Sequence, residues 1–224
     1  MHFFDMVGRW GRLETAIYNV VVMPALREIY QKLIDRHLPL AGLEGGKLLV
    51  DVGCGAAHAT AMVGRRFPGL RIVGVDFSRE MLGRARRETR DVPGLALLRA
   101  DAMRLPLADA SCDVAVSMAS IKHWPDRASG VAEMARVLRP GGRAFIMEVD
   151  RLTSREKSMN FVRTWKLTPR LVRPVVLHYF MRFVVGAGLT AEELEALGTG
   201  AGFTGVDVQR HGFYPGIMMT CTKP

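Results

Sequence analysis

The chain has little cysteine, no long apolar run and no leader-like start, and each shortage narrows its class. Cysteine occurs three times in 224 residues, at Cys54, Cys112 and Cys221. No pair has metal-ligand spacing, and an odd count does not fit a disulfide scaffold. No metal site is therefore expected, and a reducing cytoplasm is the natural setting. The start, Met1-His-Phe-Phe-Asp5, lacks a basic segment followed by an apolar one, so no signal peptide is expected. Apolar runs are too short, and too often broken by arginine, to span a bilayer. No internal repeat and no low-complexity tract is found. With 49% apolar and 24% charged residues the chain can build an ordinary core, and its length fits one large domain.

Acidic residues are scarce in one place. The net charge is +9, and residues 151–190 carry eight Lys/Arg against Glu156 alone, which is +7 of that total. Nucleic-acid binding and a general arginine bias account equally well for the sum; the location says more.

The first forty residues carry a helical period in Tyr18, Val21, Val22, Ala25, Leu26, Ile29, Tyr30 and Leu33, with Pro24 able to kink or restart it. From Lys47 the pattern changes. Leu48–Val52 is a short β-rich run that ends in glycines, followed by a helix through about Phe67. Further strands are expected at Arg71–Val75, Leu95–Leu98, Cys112–Val116 and Arg143–Met147. Helices lie between them, one capped by Ser78 and one at about 127–138 stopped by Arg139-Pro-Gly-Gly142. Continuous apolar strands alternating with helices predict an α/β fold: a doubly wound, mostly parallel sheet with helices on both faces. Residues 151–189 break the rhythm with helix-like pieces around Pro169 and Pro174. Thr190-Ala-Glu-Glu193 then reads as a capping box, and strands at about 205–210 and 216–222 as an antiparallel edge pair. The expected organisation is a helical cap (1–43), an α/β core (44–150), a helical insertion serving as a lid (151–189), and a helix and strands that complete the core (190–224).

Two motifs carry chemistry. Val50-Asp-Val-Gly-Cys-Gly55 places glycines at the carboxyl end of the first strand, where parallel sheets bind ligands and a backbone without Cβ allows close approach. Alone it is also a simple tight turn. Val73-Gly-Val-Asp76 adds an acid at the tip of the next strand, suited to accept both hydroxyls of a ribose. A nicotinamide fingerprint needs a third glycine three residues after the second, where this chain has His58. A P-loop is excluded, since no Gly-Lys-Ser/Thr follows.

Six blocks in order resemble class I S-adenosylmethionine (SAM)-dependent methyltransferases, in particular the branch of ubiquinone/menaquinone-biosynthesis and phospholipid-type enzymes. They are Leu48–Gly55, Gly74–Ser78 with Met81-Leu82, Ala100–Ala102 with Leu105-Pro106, Ser111–Val114, Ile121–Asp126 and Arg136–Gly142. The match covers about residues 44–150 well and the last strands loosely. Ala57 departs from a glycine common in the family. The resemblance implies a SAM cofactor and a methyl transfer by in-line displacement. It implies that Gly53, Cys54 and Gly55 pass under the methionine part, that Asp51 orders this loop, and that Asp76 holds the ribose. Phe77 and Met81 would flank the adenine, Asp101 and Ala102 would meet its amine, and Ser117 and Met118 would line the methyl-donor end. Tyr18 either reaches over the cofactor or is a packed aromatic.

Methyl transfer draws much of its acceleration from alignment, so no conspicuous catalytic group is required. His123, just beyond the fourth strand, is the candidate base; the competing reading is a turn in which His123 and Asp126 satisfy loop amides. Within the insertion, apolar residues from Leu171 to Val184 could line a pocket for a small hydrophobic acceptor. Arg163, Lys166, Arg170, Arg173 and Arg182 could meet an acidic group or anionic lipid heads, giving a cytoplasmic protein with peripheral membrane contact. The alternatives are an RNA or protein methyltransferase, or a SAM-binding protein without transfer activity. Nucleic acid is the less expected partner. No RNA-binding module is appended, and Ser117-Met-Ala-Ser120 stands where enzymes acting on planar nitrogens carry Asn/Asp-Pro-Pro-Tyr.

Overall fold

The computed structural model describes residues 21–224, without residues 44, 166, 167 and 213. The expected strands form as β1 (Leu48–Val52), β2 (Arg71–Asp76), β3 (Leu95–Arg99), β4 (Cys112–Met118) and β5 (Leu138–Val149). They are joined by β6 (Thr204–Arg210) and β7 (Gly216–Thr222) in one seven-stranded sheet of order β3-β2-β1-β4-β5-β7-β6. Neighbours from β3 to β5 run parallel, and β7 runs antiparallel to both β5 and β6. The late pair thus completes the sheet, with β7 inside and β6 at the edge.

Both faces are covered. On one, Leu49, Val116, Met118 and Phe145 pack against the helix α1 (Met23–His37) and α2 (His58–Arg66). On the other, Val50, Val52, Ala115 and Ile146 pack against α4 (Arg127–Val137) and α7 (Ala191–Gly200). Between β2 and β3 runs α3 (Arg79–Glu88). Adjacent strand residues alternate between the two cores, and burial on both sides explains why the strands read as unbroken apolar runs.

The boundaries follow local chemistry. Ser78 Oγ accepts the Met81 N–H at 3.2 Å and starts α3 as expected. Thr190 and Glu193 form the reciprocal capping box of α7. Pro24 lies in the first turn of α1, where its missing N–H costs nothing, so it opens this helix rather than kinking it. Arg139-Pro-Gly-Gly142 ends α4 as expected, but β5 begins at once. The register jumps from Cys112↔Leu138 to Val114↔Arg143, and Gly141, at φ +77°, turns the intervening residues out as a bulge.

The chain leaves the sheet at Asp150 and returns at Leu189, where a parallel bridge joins these two residues. Gly188 makes the return possible, because a Cβ there would lie 2.3 Å from the Val149 carbonyl oxygen. Between these points lie α5 (Arg155–Arg163), α6 (Arg173–Tyr179) and a π-helical turn at Phe180–Val185. Among the described residues no helix is long and apolar enough to cross a membrane.

Candidate active site

The strand order reverses between β1 and β4, the position at which open α/β sheets bind ligands. A cavity of about 1360 Å³ opens there, walled by the ends of β1, β2, β4 and β5, by α1, and by the 151–189 excursion. Ligand clefts commonly hold about 300–1,000 Å³, so this one has room for a cofactor and a second molecule.

The turn after β1 is built by close approach. Gly53 and Cys54 both donate their N–H to the Val75 carbonyl, at 2.8 and 3.0 Å. Gly53 and Gly55 hold φ of +77° and +56°, a region that side chains disfavour. A Cβ at Gly53 would stand 1.8 Å from Ser120 Oγ, which itself accepts the Trp124 indole N–H at 3.1 Å. A Cβ at Gly55 would meet nothing within 4 Å, so that face of the turn is open to the cavity.

Two carboxylates flank the turn. Asp76 at the end of β2 accepts the Gly55 N–H on Oδ2 and the Ser78 N–H on Oδ1, both at 2.8 Å. Burial raises its pKa against the pull of these two donors. Each oxygen keeps a further acceptor position, the pair of acceptors that the two hydroxyls of a ribose diol need. Asp51 is 2% exposed; Oδ2 accepts the Thr60 hydroxyl at 2.5 Å, and Oδ1 has no partner. Burial, with a smaller contribution from Asp76, pushes its pKa up to about 7, against the Thr60 bond. An unpaired buried carboxylate oxygen in a cavity wall fits a ligand that brings a cationic donor, such as the amino group of SAM.

At the β2–β3 end Phe77 is 69% exposed, with the Arg99 guanidinium 5.7 Å from its ring centroid and Arg99 Nε donating to its carbonyl at 3.1 Å. Met81 faces the same space. Asp101 accepts the Met103 N–H on Oδ1 at 3.0 Å, and Asp101 and Ala102 both line the cavity. A flat apolar ring, a flexible thioether and a carboxylate at one end suit an adenine and its amine.

At the end of β4 Met118 lines the cavity, as does His123 beyond it, but Ser117 does not. Ser117 is wholly buried, its hydroxyl without a partner, and strand alternation turns it away from Val116 and Met118. Tyr18 lies outside the described residues. His123 is exposed toward the cavity; desolvation by the surrounding protein, then the Lys122 charge, lowers its pKa to about 4. Water in the open cavity limits the shift, and either way the ring is neutral at pH 7: a hydrogen-bond acceptor, but a poor holder of a proton.

Several residues of the site carry no signal in the sequence. Lys122 Nζ donates to Glu148 Oε1 at 2.8 Å and to the Ala119 carbonyl at 2.7 Å, a buried pair that ties the loop after β4 to β5. Thr60 and Ser120 act through tertiary contacts that no spacing announces. From the 151–189 excursion, Phe161, Trp165 and Phe180 pack with ring centroids 5.6–5.8 Å apart. The Trp165 indole N–H is buried without a partner. All three rings line the cavity. Among the described residues no group of three His, Cys, Asp or Glu could hold a metal ion.

The chain is similar to known methyltransferases. A family described as Methyltransferase domain matches residues 50–146. A demethylmenaquinone methyltransferase of Bacillus licheniformis is 28% identical over 85% of this chain and 84% of its own. The 27-O-demethylrifamycin SV methyltransferase of Amycolatopsis mediterranei is 36% identical over 63% of this chain and 53% of its own. The chain thus spans about half of that relative, and 31% of another curated relative from Streptomyces fradiae. In fold it is similar to a SAM-dependent methyltransferase from Aquifex aeolicus, with a TM-score of 0.65, 16% identity, and 88% of this chain and 98% of that one covered.

Proposed function

We propose that the chain, which matches a methyltransferase domain over residues 50–146, is a class I SAM-dependent methyltransferase and transfers the methyl group of SAM to a small hydrophobic acceptor, by in-line displacement, in the cavity at the β1/β4 switch point. The observation that carries this reading is the unpartnered Oδ1 of Asp51 beside the Gly53–Gly55 turn, in the wall of a cavity that is also lined by an aromatic cluster with its own unpartnered donor at Trp165.

Bound SAM supplies a methyl group on a sulfonium, which is an electrophile without further activation. The chain's part is to bind, orient and exclude water. In this reading Asp51 holds the amino group, the Gly53–Gly55 backbone passes under the methionine part, and Asp76 holds the ribose. Phe77 and Met81 flank the adenine, with Asp101 and Ala102 at its amine. Met118 borders the methyl group. Phe161, Trp165 and Phe180, from the 151–189 lid, hold the acceptor, and the Trp165 N–H orients an oxygen or nitrogen on it. His123, neutral at pH 7, accepts a hydrogen bond from the nucleophile and takes up its proton only once transfer makes that proton acidic. We place the protein in the cytoplasm, with peripheral membrane contact through residues 151–189.

The test is a transfer assay with methyl-labelled SAM over quinols, phenols, amino-lipids and small acids. Label is expected in an organic-extractable product of an apolar acceptor. Label entering only the water-soluble acids would contradict the hydrophobic assignment.

A further inference from the structure

Among the described residues six large apolar side chains are exposed, and four of them, Leu171, Val172, Val175 and Tyr179, fall within nine residues around α6. Leu171 is 92% exposed. The inner side of this segment is already committed: Leu177 and Phe180 are buried in the core, and Val176 packs against it. A helix of a water-soluble surface carries polar residues opposite its core face. Here Leu171, Val175 and Tyr179 recur at spacing four on the outer side, and the segment is apolar on both sides.

The polar residues among them are basic. Arg170 and Arg182 are exposed, and Arg173 is half-buried, donating Nε to the Thr168 carbonyl at 3.1 Å. No Asp or Glu occurs between Glu156 and Glu192. Val175 and Tyr179 also line the cavity, so the exposed stripe runs into the cavity rim.

We propose that this face docks on an anionic lipid bilayer. Leu171, Val172, Val175 and Tyr179 enter the boundary between headgroups and acyl chains, and Arg170, Arg173 and Arg182 meet lipid phosphates. Charge selects this occupant over a second copy of the chain, because a two-fold contact through the face would set arginine against arginine with no acid to offset it. Docking places the cavity rim at the bilayer surface, so an apolar acceptor passes from lipid to the aromatic wall without crossing water. The inference rests on the reading of the cavity as the acceptor site.

The experiment is co-sedimentation of the full chain with vesicles of phosphatidylcholine containing phosphatidylglycerol, and with phosphatidylcholine alone. Sedimentation is expected with the anionic vesicles, weakening at about 0.5 M salt. Neither Leu171 nor Val172 touches the cavity, so the double variant Leu171→Asp, Val172→Asp should lose about tenfold in vesicle affinity. Its melting temperature should still rise with SAM as in the parent. No sedimentation at low salt, or equal sedimentation of the variant, overturns the proposal. So does a parent dimer that the variant dissociates without any vesicle binding, which assigns the face to a second copy. A chain that sediments but gains no stability from SAM keeps the docking and loses the methyltransferase reading; the converse result does the reverse.

Discussion

Thr60 donates its hydroxyl to one oxygen of Asp51 at 2.5 Å, and the other oxygen of Asp51, buried in the cavity wall, has no partner. Folding thus leaves half of a buried carboxylate unsatisfied, a cost that a structure tolerates where a ligand completes the site. Burial holds its pKa near 7, well above the ordinary carboxylate value.

The first prediction is a pH dependence. An ammonium beside Asp51 favours the carboxylate form, so SAM binding expels a proton whenever Asp51 is protonated. Affinity should therefore rise about tenfold between about pH 5.5 and 7, where an α-amino group stays charged. Asp51→Asn should flatten this profile and weaken binding about tenfold in calorimetric titrations.

The same residue has an opposite effect on the unliganded fold. Because its folded pKa is raised, the native state binds more protons than the unfolded chain between about pH 4 and 7, and stability falls as pH rises through that window. Without ligand, Asp51→Asn should melt higher than the parent above pH 7. A lower melting temperature would show that the charge is not strained.

Asp76 accepts two loop N–H groups and, in this account, the ribose. Asp76→Ala removes the diol's acceptors and the Gly55 anchor together. Two bonds to a charged group at about 1.5 kcal/mol each predict a loss of about 100-fold in SAM affinity. Unchanged affinity would remove Asp76 from the ribose role.

Trp165→Phe keeps an aromatic ring against Phe161 and Phe180 but removes the unpartnered N–H. One hydrogen bond of about 1 kcal/mol predicts a rise of about fivefold in acceptor KM, with the SAM KM unchanged. Equal changes in both would place Trp165 outside the acceptor site.

His37 of α1 and His211, just beyond β6, meet Nε2 to Nε2 at 3.3 Å. Burial first, then the neighbouring histidine, lowers the pKa of His211 to about 4, and burial also lowers that of His37. The unfolded chain therefore binds more protons between about pH 6.5 and 4, and stability should drop with acidification through that window. His211→Gln should shrink that drop in thermal melts. An unchanged slope would move its origin elsewhere.

Much of this site is legible in sequence because its parts are local. The glycine turn, the acid after β2, and the Ser78 and Thr190 caps each lie within a few residues of the backbone they organise. Ser117 shows where that legibility stops. From Val114 to Met118 every residue of β4 is apolar or small, so composition does not reveal which side faces the ligand, and only packing turns Met118 toward the cavity and Ser117 away. Thr60, Ser120 and the Lys122–Glu148 pair gain their roles from contacts between elements distant in sequence. Trp165 is the extreme case, since an unpartnered donor is a property of the assembled wall alone.

What completes the cavity around Asp51 and Asp76 is tested most directly by thermal melts of the unmodified chain with SAM, with its demethylated product and with NAD. At about a hundred times the dissociation constant, a ligand adds about 2.7 kcal/mol to stability, a rise of about 5–11 °C for a chain of this size at about 2–4 °C per kcal/mol. SAM and its demethylated product should each produce such a rise, and NAD none. Stabilisation by NAD alone would contradict the assignment.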